Sequence, residues 1–294
     1  MTIFKPQGTI PALVTPLDRD GNLLEDGLKE VLDFVIAGGV HGVFVLGSSG
    51  EIYGLSTAQK RRVIEVTVEH VGGRVPIYAG ASEITTRDCI ATAQMAQAIG
   101  GVSALSVLTP YFMTPNQTEL VAHFEAIARA TDLPVILYTN PGRTQVNLTV
   151  PTVQELSRID NIVAIKDSSG DMTLTADLIA DTDDDFSVLV GRDTLIYAAL
   201  CHGATGAIAS TANVAPATVA GIYNAFQAGD LTGALTLQRR LSPLRHMLDR
   251  ATFPVVLKEA LRLKGVNAGW CLAPARELTD ALRPALAAIV ATLD

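Results

Sequence analysis

Short apolar runs recur along the chain at Ile10–Val14, Val43–Leu46, Pro76–Ala79, Ala104–Leu108, Val135–Leu137, Ile162–Ile165, Phe186–Val190 and Gly206–Ala209. They lack strict apolar/polar alternation and are rich in Val, Ile and Leu, the pattern of strands buried on both faces of a parallel sheet. Between them the period changes. Leu28, Val31, Leu32 and Val35 follow i, i+3, i+4, i+7, and Leu120, Val121, Phe124 and Ile127 nearly so, which predicts helices with one buried face. Glycine pairs at Gly38-Gly39, Gly72-Gly73 and Gly100-Gly101 mark helix stops ahead of the next strand. Ser56 with Gln59 has capping-box spacing, and Thr85 stands before another periodic run. Strand starts recur every ~20–35 residues, the length of one strand, one helix and two short loops.

Eight β/α units of this kind either close into a (β/α)8 TIM barrel or lie open as a doubly wound sheet. No G-x-G-x-x-G or G-x-x-x-x-G-K-[ST] opens a helix, which removes the main support for a nucleotide-binding open sheet. The α/β reading adopted is therefore a barrel over 1–229. From Asp230 the strand-like runs stop and helical stretches follow at about 231–248, 253–264 and 277–293, with Pro254 and Pro274 near their ends. This C-terminal helical domain, 230–294, shows no converging polar cluster and is expected to pack rather than react.

Composition narrows the function. With 48% hydrophobic and 18% charged residues, the 294-residue chain has ample material for a large core. Thirty acidic against 22 basic residues give −8, the wrong sign for a nucleic-acid backbone or an anionic membrane surface. An anionic substrate must then be drawn by a few local cations. Met1–Thr9 shows no secretory pattern, so the expected compartment is the cytoplasm. The uncharged stretches Cys89–Thr118 and Thr194–Gly229 are broken by Gly, Pro, Asn or Gln and offer no continuous membrane span. Cys89, Cys201 and Cys271 read as reduced, mostly buried thiols. The five histidines have no ligand spacing, so no metal is expected, and Asp181-Thr182-Asp183-Asp184-Asp185 reads as a solvated turn.

In such barrels the chemistry sits at the carboxyl ends of the strands. Lys166 follows Ile162-Val163-Ala164-Ile165 and is the only lysine between Lys60 and Lys258. An amine among apolar neighbours is penalised in its ammonium form and can form a Schiff base; an exposed loop cation is the competing reading. Tyr138 ends the preceding strand and would stand beside that amine as a proton relay, unless it is simply a core tyrosine. Gly47-Ser48-Ser49-Gly50 offers amides and hydroxyls for a carboxylate, or an ordinary turn. Arg143 could grip a second carboxylate, or make a surface ion pair.

These motifs resemble the dihydrodipicolinate synthase / N-acetylneuraminate lyase family of class I, Schiff-base aldolases. The resemblance rests on Gly47-Ser48-Ser49-Gly50-Glu51, Tyr138 with Asn140-Pro141, Ile165-Lys166-Asp167, Gly191-Arg192-Asp193 and Gly206 through Asn213. It implies a barrel with a helical C-terminal domain, commonly a homotetramer, with Lys166 forming the Schiff base with pyruvate and no other cofactor. It further implies Tyr138 as the relay, and Ser48 and Ser49 as holders of the pyruvate carboxylate, Ser49 also acting in catalysis. Ile208 would offer its carbonyl near the lysine, and Arg143, Gly191, Asp193 and Ser210 would meet substrate. Pro141-Gly142-Arg143-Thr144 favours a synthase that joins pyruvate to an aldehyde such as aspartate semialdehyde. Phe112 stands where such enzymes usually carry a second tyrosine, and Thr194 where sialate lyases usually carry a glutamate. Aldolases or dehydratases for 2-oxo-3-deoxy sugar acids, 4-hydroxy-2-oxoglutarate or N-acetylneuraminate are the alternatives, and a non-enzymatic barrel that binds a 2-oxo acid as a regulator is the alternative from outside catalysis.

Overall fold

The computed structural model describes Phe4–Asp294; Met1–Ile3, the start of the stretch read for a leader, lies outside the described residues. Eight parallel strands form one sheet: β1 (Gly8–Pro11), β2 (Val43–Val45), β3 (Ile77–Gly80), β4 (Ala104–Leu108), β5 (Val135–Thr139), β6 (Ile162–Asp167), β7 (Ser187–Val190) and β8 (Gly206–Ala209). The order β1-β8-β7-β6-β5-β4-β3-β2 leaves β1 and β2 at the two ends. A parallel bridge between Ala12 and Phe44 and a 2.8 Å bond from Leu13 N to Phe44 O bring those ends together, so the sheet curls into a near-closed barrel.

The helices that return the chain between strands are α1 (Glu25–Ala37), α2 (Thr57–Val71), α3 (Thr86–Ile99), α4 (Gln117–Arg129), α5 (Pro141–Thr144), α6 (Val150–Leu156), α7 (Met172–Ala180), α8 (Ile196–His202) and α9 (Pro216–Gln227). Their starts follow local chemistry. Ser56 and Gln59 form a complete capping box on α2, and the Thr85 hydroxyl accepts from Asp88 N on α3. α10 (Leu231–Met247), α11 (Val255–Leu263) and α12 (Arg283–Val290) follow, with α10 packed on α9. The last helix starts at Arg283 rather than near 277. Pro284 fits only a helix's first turn, because in an interior its ring and missing N–H break the ladder.

Two apolar layers result. Ile10, Phe44, Tyr78, Ile136, Leu189 and Ile208 fill the barrel's interior, while the outward faces of the strands meet the inward stripes of the helices. This is why the strands read as continuous apolar runs. β1 ends earlier than its apolar run, at Pro11, because the next backbone groups find other partners. The Asn213 side chain donates to Ala12 O at 2.7 Å and accepts from Val14 N at 3.0 Å, doing the work of a neighbouring strand.

Candidate active site

β5 and β6 run further than their apolar stretches, and that extension decides the site. Tyr138 and Lys166 are strand residues paired in register, both pointing into the barrel's upper end. Lys166 is 4% exposed, which excludes the loop cation. Its Nζ lies 4.0 Å from the centroid of the Tyr138 ring and 5.3 Å from that of Phe44. No carboxylate pairs with it among the described residues. The neighbouring Asp167 is turned away, accepting from Thr175 Oγ1 at 2.6 Å and Ser169 N at 2.9 Å.

The phenol is tuned by the same surroundings. Burial pushes the Tyr138 hydroxyl up, but the positive charge of Lys166 and the donors of Asn140, Ser48 and Lys166 outweigh it and hold the group below its ordinary 10. Asn140 Nδ2 makes its bond to Tyr138 Oη at 3.0 Å. The Asn140 side chain caps no helix, so it is free for this task. A phenol so placed can exchange a proton with the amine or with anything bonded to it.

The lysine reaches this position because Gly191 has no side chain. A Cβ there would sit 1.9 Å from Ser168 Oγ and 2.9 Å from Lys166 Cε. Gly80 plays a similar part on the opposite wall, where a Cβ would lie 1.9 Å from the Leu46 carbonyl oxygen. The loop after β2 is held in an unusual shape: Leu46 and Glu51, both non-glycine, have φ of 58° and 55°. Gly50 O accepts from Thr15 Oγ1 at 2.8 Å. Glu51 is fully buried, meeting Lys258 Nζ of α11 at 2.7 Å and accepting from Leu272 N at 2.7 Å. Within this clamp the amides of Ser48 and Ser49 donate to no protein acceptor among the described residues and remain available to an anion.

A cavity of about 410 Å³ opens above these groups, walled by Ser48, Ser49, Tyr138, Lys166, Ile208 and Ser210 among others. Gly191 and Arg143 also border it. Arg143 forms no ion pair among the described residues; its guanidinium lies 4.5 Å from the centre of the Phe253 ring. Asp193 is placed differently from its expected role. It is 1% exposed and outside the cavity wall, and its carboxylate accepts from Ser210 Oγ at 2.9 Å, Ser210 N at 3.2 Å and Thr211 N at 2.9 Å. It braces the loop after β8 rather than facing a ligand.

The C-terminal helices also depart from expectation, since Arg245, Leu248, Asp249 and Phe253 complete the cavity wall. Nothing in their spacing reveals this, because only the packing of α10 on α9 carries them over the barrel mouth. Phe112 is 95% exposed and outside the wall of its own cavity. Among the thiols, Cys89 is buried, Cys271 half-buried and Cys201 exposed on α8, so one of the three fits the expected burial. Among the described residues no group of His, Cys, Asp and Glu is arranged to hold a metal, and no helix is long and apolar enough to cross a membrane.

Comparison with known proteins places this site in a family. Residues 5–293 match the dihydrodipicolinate synthetase family. The chain is 40% identical to a 4-hydroxy-tetrahydrodipicolinate synthase of Syntrophobacter fumaroxidans over 87% of this chain and 88% of the other. It is 38% identical to the enzyme of that name from Methanosphaerula palustris, over 98% of this chain and 99% of that one. Among solved structures, a dihydrodipicolinate synthase of Bacillus anthracis superposes with a TM-score of 0.95 at 34% identity, covering 99% and 100% of the two chains. A prophage protein of E. coli K12 from the dihydrodipicolinic acid synthase family, in complex with pyruvate, does so with a TM-score of 0.93 at 30% identity, covering 97% of each. The chain belongs to the dihydrodipicolinate synthetase family, whose members are pyruvate-dependent class I lyases.

Proposed function

We propose that this protein joins pyruvate to an aldehyde, in the manner of its synthase relatives, through a Schiff base on Lys166. The observation that carries the reading is a buried lysine amine without a carboxylate partner among the described residues, set against a phenol in the wall of a cavity. The Lys166 nitrogen adds to the pyruvate carbonyl carbon, whose oxygen is protonated and leaves as water, giving an iminium. The iminium draws electrons from the adjacent methyl carbon, which gives up a proton to form an enamine. That carbon then bonds to the aldehyde carbon, and the aldehyde oxygen takes a proton. Water finally attacks the regenerated iminium and frees the amine. Each proton transfer needs a relay, and the Tyr138 phenol, hydrogen-bonded to Lys166, stands beside the nitrogen to which the reacting carbons are joined.

The amides and hydroxyls of Ser48 and Ser49 would hold the pyruvate carboxylate, and Arg143 the acid group of an acceptor such as aspartate semialdehyde. Ile208 and Ser210 would flank the bound ketone. We place the enzyme in the cytoplasm as a homotetramer. An apolar tip at Phe112, 95% exposed with φ of 73°, and Met113, 47% exposed, is surface that a second copy would cover. Light scattering should then give a mass four times that of the chain.

Incubation with pyruvate and borohydride tests the chemistry. It should add one reduced pyruvyl group, located at Lys166 by peptide mass. Unmodified protein, or label on another lysine, would overturn the proposal.

A further inference from the structure

The cavity carries more positive charge than a ketone and its carboxylate need. Among the described residues Lys166, Arg143, Arg192 and Arg245 line it, against one carboxylate, Asp249, in a chain whose net charge is −8. Arg143 and Arg192 are partly open to water, but the Arg245 side chain is only 11% exposed. Its single protein acceptor among the described residues is Asp249 Oδ1, 3.0 Å from Nη1. Nε and Nη2 have none among the described residues and, facing the cavity's solvent, are open to a ligand's oxygens. Asp249 is itself 57% exposed, and its other oxygen stands 3.8 Å from Arg192. It is a counter-ion at the rim, shared by two arginines and easily exchanged for a ligand's oxygens.

We propose that Arg245 is a specificity-determining residue that, with Arg192 beside it, receives an anionic group at the far end of the acceptor. The site would thereby prefer aldehydes bearing a carboxylate or a phosphate over neutral ones. Arg143, held against the Phe253 ring, would form the facing side of the same anion pocket. The inference rests on the Schiff-base reading of Lys166 and adds the class of acceptor. It also assigns α10 a part in recognition.

The experiment compares kcat/KM for acceptor pairs that differ by one anionic group: succinic semialdehyde against butanal, and glyceraldehyde 3-phosphate against glyceraldehyde. In Arg245→Gln the charged-over-neutral ratio should fall about 10- to 100-fold, the usual worth of a hydrogen bond to a charged group. A drop confined to one pair tells carboxylate from phosphate. Asp249→Asn removes the competing counter-ion and should hold or raise the ratio. Equal losses for charged and neutral acceptors in Arg245→Gln, or a fall in the ratio in Asp249→Asn, would show a structural strut and overturn the inference. Calorimetric titration with succinate, which cannot form an imine, keeps the two readings apart. Binding should weaken about tenfold in Arg245→Gln whatever becomes of pyruvate on Lys166, and unchanged binding would count against the anion pocket.

Discussion

Lys166 and Lys258 are both buried, at 4% and 1% exposure, and both border the same end of the barrel, yet the molecule treats them in opposite ways. Lys258 is saturated: it meets the Glu51 carboxylate at 2.7 Å and donates to the carbonyl of Trp270. Lys166 faces a phenol and an aromatic ring, with no carboxylate at hand among the described residues. A buried cation held by an anion is locked in place, and removal of either partner strands a charge. A buried amine without one remains available to a ketone. Burial therefore does not by itself make a lysine reactive; the partner decides.

Replacing each lysine with methionine should separate these roles most widely. Lys166→Met should abolish pyruvate labelling and cut turnover on the order of 10⁵-fold or more, the scale for loss of a nucleophile, while its melting temperature does not fall. Next in size, Tyr138→Phe should lower kcat by about 10²–10⁴ in a protein whose circular dichroism is unchanged; turnover equal to the parent would remove the phenol from the relay. Lys258→Met should instead cost about 3–5 kcal/mol of stability in urea unfolding, by leaving Glu51 buried without its counter-charge. The double variant Glu51→Gln/Lys258→Met should regain much of that loss, since no unpaired charge remains. If the double variant were as unstable as the single one, packing rather than charge would account for the cost.

The smallest effect concerns pH. The phenol must be protonated to donate, so kcat/KM should decline on the alkaline side as pH approaches a value below the ordinary 10. Asn140 donates to the Tyr138 oxygen and thereby favours its ionised form. Asn140→Ala removes that support, raises the phenol's pKa and should move the alkaline limb to higher pH. A limb that stays put, or moves lower, would assign the titration to another group.

Much of this arrangement was legible in the residues themselves. Tyr138 and Lys166 end apolar runs, and parallel strands of a barrel deliver such ends to one face. Their mutual register needed only that the two runs be neighbours. Asp193 was misleading because an acid in a Gly-Arg-Asp turn looks like a ligand, whereas the loop after β8 supplies the donors that absorb its charge. Arg245, Asp249 and Phe253 carried no signal, since they lie beyond the last strand and arrive over the cavity through helix packing.

The sequence alone determined the alternation of eight buried strands with helices and the identity of the polar residues at the strand ends, because hydrophobic period and caps are local properties. Tertiary structure alone decided how the ends of the sheet met, which lysine received a carboxylate and which received a phenol. Glu51 and Lys258 are 207 positions apart, and no local pattern relates residues at that separation. Charge pairing acts over a few ångströms of space, whatever the distance along the chain.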